Sequence, residues 1–213
     1  MIGGVTQSVR ELLLPMAPAQ LLWINLVAAV ALALALALPL AFEAKEPHIM
    51  SRPPRDTGAP VLSGFIVMRT LVVAILMTAG AIGLFLYEFE VAGAGGPEAL
   101  AKAQTMAVTT VILFQIFYLL NCRSLLDSVR KIGVFSNKTV FAGIAAIIAL
   151  QAMFIYAPFM HSIFDSSALA LGDLLASILV GAVILPVVGL EKWWRRRRTV
   201  AQKQGSPMQS DQQ

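Results

Sequence analysis

Long apolar runs separated by short polar connections dominate this chain. Five runs stand out, at about 21–42, 71–87, 105–121, 140–156 and 170–190. Each is near the roughly 20 residues with which an α-helix, rising 1.5 Å per residue, crosses a hydrocarbon core of about 30 Å. Lipid offers no water to backbone N–H and C=O groups, so a spanning segment must be a helix or belong to a closed barrel. Barrel strands are about 10 residues long and alternate apolar with polar positions. These runs are longer and apolar throughout, which predicts helices. The stretch 32–38 alternates Leu with Ala, but both are apolar helix formers, so it carries no strand signal. The expected fold is an all-α membrane protein, a bundle of five transmembrane helices. Residues 1–18 read as an extracytoplasmic N-terminal segment, 19–194 as the membrane domain, and 195–213 as a basic and then disordered cytoplasmic tail.

Composition sharpens this picture. The 213 residues are 58% hydrophobic and 13% charged, where a soluble domain carries roughly 25% charge. A soluble globule could not cover its surface with so little charge, which excludes a soluble enzyme. The net charge of +4 would suit a nucleic-acid partner, but the placement of the basic residues argues for none. Apart from Arg10 and Lys102, the 16 Lys and Arg residues fall in alternate connections. Lys45, Arg52, Arg55 and Arg69 follow the first run, and Arg123, Arg130, Lys131 and Lys138 follow the third. Lys192, Arg195, Arg196, Arg197, Arg198 and Lys203 follow the last. The positive-inside rule makes this basic side cytoplasmic, with the N-terminus outside and the C-terminus inside. Trp193 and Trp194 fit an interfacial anchor ahead of the arginine run, which reads foremost as an orientation signal. No basic leader or cleavage site precedes the first run, so no cleavable signal peptide is expected. A multi-pass protein of the cell (plasma) membrane, with the lipid bilayer as its first partner, is the expectation.

The first run and the connection after it carry a longer pattern. Gln20-Leu21-Leu22-Trp23-Ile24-Asn25-Leu26-Val27 is followed by Ile49-Met50-Ser51-Arg52-Pro53-Pro54-Arg55. This resembles the sixth transmembrane helix and following cytoplasmic loop of P-type cation-transporting ATPases, in the branch of calcium pumps and their bacterial relatives. Thr105-Met106-Ala107, opening a helix that ends at Asn121, is similar to the eighth span of that family. Leu185-Pro186-Val187-Val188-Gly189-Leu190-Glu191 resembles the end of its tenth. The resemblance runs from about Leu14 to Trp194 and equates the five runs with the family's sixth to tenth spans. It also accounts for an external N-terminus, which a fifth span would precede.

The sequence contains no Asp-Lys-Thr-Gly phosphorylation motif, and the longest connection, 43–70, is far too short for a nucleotide-binding domain. The resemblance thus implies a C-terminal membrane segment that is not catalytic alone. It would contribute part of the cation pathway and a loop to the phosphorylation domain. No cofactor is expected in this chain; ATP and Mg²⁺ would be handled by a polypeptide carrying the cytoplasmic domains and the first five spans. The alternative is a non-enzymatic membrane interaction or regulatory protein, or a pump remnant, that kept the fold and lost transport.

The resemblance also nominates residues. Calcium pumps read Asn-Leu-Val-Thr-Asp in the sixth span, with Asn, Thr and Asp as ligands, and carry an acid in the eighth. Here Asn25 is retained, Ala28 and Ala29 stand at the Thr and Asp positions, and Gln115 stands at the acid. Ca²⁺ takes 6–8 oxygens, several of them anionic. Asn25 and Gln115 offer one neutral amide oxygen each, so they cannot assemble a Ca²⁺ site between them. Other spans must supply the charge, the transported cation must differ, or transport has been lost. Each amide has a second reading as an interhelical hydrogen bond worth about 1 kcal/mol. Thr109 and Thr110 are expected to pack or to bond back to their own helix, and Asn121 to cap or bridge helix ends. Pro53, Pro54 and Arg55 are candidates for coupling to the phosphorylation domain, or for holding a surface loop on anionic lipid. His48 and His161 are isolated, so no metal site is assigned. The single Cys122 cannot close an intrachain disulfide.

Overall fold

A computed structural model of the chain describes residues 14–32, 64–92, 96–122 and 138–191. All regular structure among them is helical. The first helix, α1, is Pro18–Leu32. Next comes α2, Gly64–Leu86, which widens into a π-helical turn at Tyr87–Ala92. The third, α3, is Pro97–Cys122 and the fourth, α4, is Lys138–Tyr156. A short α5, Pro158–Phe164, precedes α6, Leu171–Ala182. Beyond a break at Val183 the chain is helical again over 184–191.

Three of the five predicted spans stand as helices long and apolar enough to cross a bilayer: α2, α3, and α6 with its continuation to Glu191. A fourth is added if α4 and α5, bent by 79° against each other, are taken as one broken span. The apolar part of α1, Pro18–Ala29, is shorter, and its expected continuation to 42 lies outside the described residues.

Two helices begin earlier than their apolar runs do. α2 starts at Gly64 rather than near 71, and α3 at Pro97 rather than near 105. Hydropathy does not register a helical turn whose charged side chains are paired in the fold. The start of α3 is chemically marked. Pro97 occupies the first helical position, where its missing N–H costs nothing. Gly96 before it takes φ 108°, a conformation that residues with a Cβ rarely adopt, and its carbonyl accepts the Leu100 N–H at 2.9 Å. The break at Val183 has a chemical cause as well. Pro186 cannot donate to Ala182 four residues before it, and the Val183 N–H turns to Val180 O at 3.2 Å instead.

The central helix is α3, in contact with α1, α2, α4 and α6. Every residue from Ala103 to Ile112 is buried, Gln104, Thr105, Thr109 and Thr110 included. The other helices keep one face on this core and turn the opposite face outward. On α2, Leu71 and Ile75 are exposed, as are Leu175 and Leu179 on α6. In a membrane bundle such a face meets acyl chains, which are as apolar as the side chains themselves.

Charge brackets the bundle at both ends. At one end Arg69 of α2 meets Glu191, with Nε to Oε2 at 3.4 Å. At the other, Lys102 Nζ of α3 lies 2.7 Å from Glu88 Oε1 and 2.9 Å from Asp173 Oδ2 on α6. Asp173 Oδ2 also accepts the Ala170 N–H at 3.0 Å, capping α6. At 1.5 Å per residue, Arg69 and Glu88 are about 28 Å apart along α2, and Asp173 and Glu191 about 27 Å apart along α6. The charged ends therefore stand as far apart as a hydrocarbon core is deep.

Candidate functional site

The nominated amide, Asn25, is placed by its neighbour two residues earlier. Trp23 is buried between α1 and α4. Its indole stacks on Phe154, with centroids 5.4 Å apart and planes 15° apart, and lies 5.5 Å from the tilted ring of Phe164. Gln20, Ile24 and Val27 share this buried face. A helix turns 100° per residue, so Asn25 lies about 200° round from Trp23, on the opposite side. There it is exposed, among the exposed Leu21, Leu22, Leu26 and Ala29. Ala28 is half-buried.

A buried chain of polar groups locks that rotation. The Trp23 indole N–H points to Gln151 Oε1 on α4 at 3.4 Å. Gln151 Nε2 donates to Thr109 Oγ1 on α3 at 2.9 Å, and Thr109 in turn donates to Thr105 O at 2.7 Å. Thr105 Oγ1 accepts the Ser167 N–H at 2.9 Å and donates to Ala101 O at 2.8 Å. At the start of α1, Gln20 accepts the Ala17 N–H and donates to Phe164 O, both at 3.1 Å. Gln104 Nε2 reaches Leu14 O at 2.9 Å. Polar groups that cannot reach water are thereby satisfied across helices. Thr109 and Thr110 do bond back to their own helix, Thr110 to Met106 O at 2.8 Å. Thr109 also joins a second helix.

Replacing Gln151 with Leu removes both interhelical bonds and leaves the Trp23 N–H unpaired. Membrane hydrogen bonds average about 0.6 kcal/mol, so the loss expected is about 1 kcal/mol. Thermal unfolding of the detergent-solubilised chain reads it. An unchanged midpoint would show that the amide contributes nothing.

Gln115 is half-buried on α3. The bonds from Leu14 to Gln104 and, through Gln151, from Trp23 to Thr109 show that α1 and α3 run in the same direction. Measured along the helices from the Trp23–Thr109 level, Asn25 lies about 3 Å further on and Gln115 about 9 Å. The two amides are thus on adjacent helices at different depths, and among the described residues neither bonds the other. Pro53, Pro54 and Arg55 lie outside the described residues. No group of three or more His, Cys, Asp or Glu side chains comes together among the described residues to hold a metal ion. Glu88 and Lys102 line an open cleft of about 700 Å³ with Glu98 and Ser167, and the one ammonium there is shared between Glu88 and Asp173.

Sequence reading missed Gln20, Gln104 and Gln151. The signal was present for Gln151, since a polar residue within an apolar run is itself a candidate, but Gln115 was nominated through the resemblance and Gln151 was not. Its partners, drawn from two other helices, are a tertiary fact.

Fold and site together define a polytopic helical membrane domain. One of its helices is fixed by a buried amide–hydroxyl chain and presents a lone amide on its outer face. The chain belongs to the cation-transporting ATPase family, matching the family described as "Cation transporting ATPase, C-terminus" over residues 13–194. It is 39% identical over 178 residues to the probable cation-transporting ATPase F of Mycobacterium bovis, covering 84% of this chain and 19% of that protein. To the calcium-transporting ATPase 1 of Schizosaccharomyces pombe it is 29% identical over 184 residues, 86% of this chain and 20% of that one. To the cation-transporting ATPase pma1 of Synechocystis it is 31% identical over 160 residues, 72% and 17% of the two chains. The chain thus spans about a fifth of the length of the relatives it matches, and that fifth is their C-terminal membrane region.

Proposed function

We propose that this chain supplies spans six to ten of a P-type cation pump, with α1 as the sixth and Asn25 as one ligand in the cation pathway. One observation carries the reading. Asn25 is a polar side chain on the otherwise apolar outward face of its helix, where lipid would leave its amide unpaired. Helices supplied from outside these residues, the pump's fourth and fifth, cover that face and bring the anionic oxygens that Asn25 lacks. The same polypeptide, or a partner, carries the aspartate that accepts phosphate and the sites for ATP and Mg²⁺. Pro53, Pro54 and Arg55 form the loop that meets the phosphorylation domain. The alternation of Lys and Arg between connections supports five spans, with the N-terminus outside and the Arg69–Glu191 end cytoplasmic.

The test is cation-dependent ATP hydrolysis by the chain assembled with the remainder of the pump, comparing wild type with Asn25→Ala. Loss of one ligand oxygen is expected to weaken cation affinity about tenfold, or about 1.4 kcal/mol. Unchanged affinity and turnover would remove the ligand role.

A second reading is favoured by Ala28 and Ala29 in place of a hydroxyl and an acid. In it the domain keeps the fold and acts as a non-transporting interaction or regulatory partner. Hydrolysis indifferent to every cation tried, in an assembly that still forms, decides for it.

A further inference from the structure

The turn between α4 and α6 is built with unusual completeness. Pro158 has no N–H to give Phe154 O, and the 79° bend carries the Phe159 N–H away from Ile155 O. Two carbonyls are thereby orphaned on the buried residues Phe154 and Ile155, where each would be costly. Both are recovered by side chains from beyond the bend. Ser166 Oγ donates to Phe154 O at 2.9 Å, and His161 Nε2 lies 2.7 Å from Ile155 O. A carbonyl only accepts, so that ring nitrogen carries the proton. Tyr156 hydroxyl donates to Leu169 O at 3.2 Å, and Phe164 O is held by Gln20. Asp165, at φ 50°, ends α5 in the left-handed conformation. The bend is thus fixed from both sides.

With α4 in the bilayer, α5 lies close to the membrane plane. Its depth follows from α3. Thr105, which holds Ser167 just after α5, is one helical turn inward from Lys102, or about 4.5 Å. So α5 sits just inside the charged boundary. At 100° per residue, Met160 and Phe164 fall underneath, and Met160 is buried. Pro158, His161 and Ser162 form one flank, and Phe159 and Ile163 the other. Phe159 is 54% exposed and Ile163 61%. The apolar flank is continuous with exposed Tyr156 before it and exposed Leu171 after it, both on the acyl-chain face of their helices.

We infer that α5 is an interfacial helix that binds the leaflet at the Lys102 end, seating Phe159 and Ile163 among the outer acyl carbons while Ser162 faces the headgroups. The occupant of this surface is lipid. The inference is independent of transport and stands whether or not Asn25 binds a cation.

The test places a nitroxide singly at 159, 162 or 163 in the full chain carrying Cys122→Ser. The protein is reconstituted in vesicles of phosphatidylcholine with phosphatidylglycerol, and a label at Leu179 serves as the acyl-chain reference. Collision with oxygen, relative to a water-soluble nickel chelate, is expected to be several-fold higher at 159 and 163 than at 162, and to approach the value at 179. Equal ratios at 159, 162 and 163 overturn the proposal. Shielding of 159 and 163 from both reagents also overturns it, because protein rather than lipid would cover them. The two apolar positions are read separately, so one label that disturbs the fold, detected by gel filtration, leaves the other decisive.

Discussion

Replacing Lys102 with Met should destabilise the folded chain by about 3 kcal/mol, the low end of what removing one partner of a buried ion pair costs. Glu88 is 2% exposed at the inner side of the π-helical turn, whereas Glu90 in the same turn is exposed. Its carboxylate has been taken out of water, and the ammonium 2.7 Å away compensates it. Without that ammonium, the buried Glu88 carboxyl would have no cation beside it, with the Asp173 carboxyl nearby. The Lys102 side chain is 31% exposed, so water would partly screen what remains and holds the figure to the low end. Adding Glu88→Gln to Lys102→Met removes the unpartnered carboxyl and should restore much of the loss. Denaturation of the solubilised chain by added dodecyl sulfate, followed by circular dichroism, measures both variants. A Lys102→Met midpoint equal to wild type would show that the cluster is not holding α2, α3 and α6 together.

Gly181→Leu should cost a similar amount by a different route. α6 makes its most extensive contact with α3, and Gly181 packs directly against the α3 backbone. A Cβ there would meet Leu113 Cβ at 3.2 Å and the Phe114 backbone nitrogen at 3.3 Å. Backbone inside the central helix has little room to yield. A whole leucine side chain would force α6 away along its length, and overpacking of this kind costs about 1–3 kcal/mol. The upper value is expected here because α6 also carries Asp173, whose bond to Lys102 depends on the same approach. Gly83 on α2 is the control, since a Cβ there meets nothing within 4 Å. Gly83→Ala should be neutral or stabilise by up to about 1 kcal/mol, the ordinary helix preference for alanine. Equal midpoints for the two variants in the same denaturation would refute the close approach.

Hydropathy made most of the helices legible, because a bilayer demands long apolar runs and allows little else. It lost their charged ends: Glu88 and Lys102 fall outside the apolar runs and Asp173 stands alone at the start of the last, since their pairing joins three separate helices. It also left α5 unread. Pro158 marks a break, but the helix beyond it is held by Ser166 and His161 through bonds that no spacing announces. His161, isolated as a metal candidate, turns out to cap a carbonyl of α4. Asn25 was found through family resemblance, and its direction could not be. α1 is apolar nearly all round, so no polar stripe states which face meets the bundle. Only the seat of Trp23 among Phe154, Phe164 and Gln151 decides it.

The two ion clusters carry one more consequence, for the lipid rather than the protein. Helices joined at both ends cannot tilt or slide independently to adjust to their surroundings. Their spacing of about 28 Å makes the bundle a rigid gauge of hydrophobic thickness. In a membrane with a core near 33 Å, the bilayer must thin around it, at fractions of a kcal/mol for each ångström of mismatch. The salt bridges, as much as the apolar surface, thus set the bilayer depth that the bundle fits without strain.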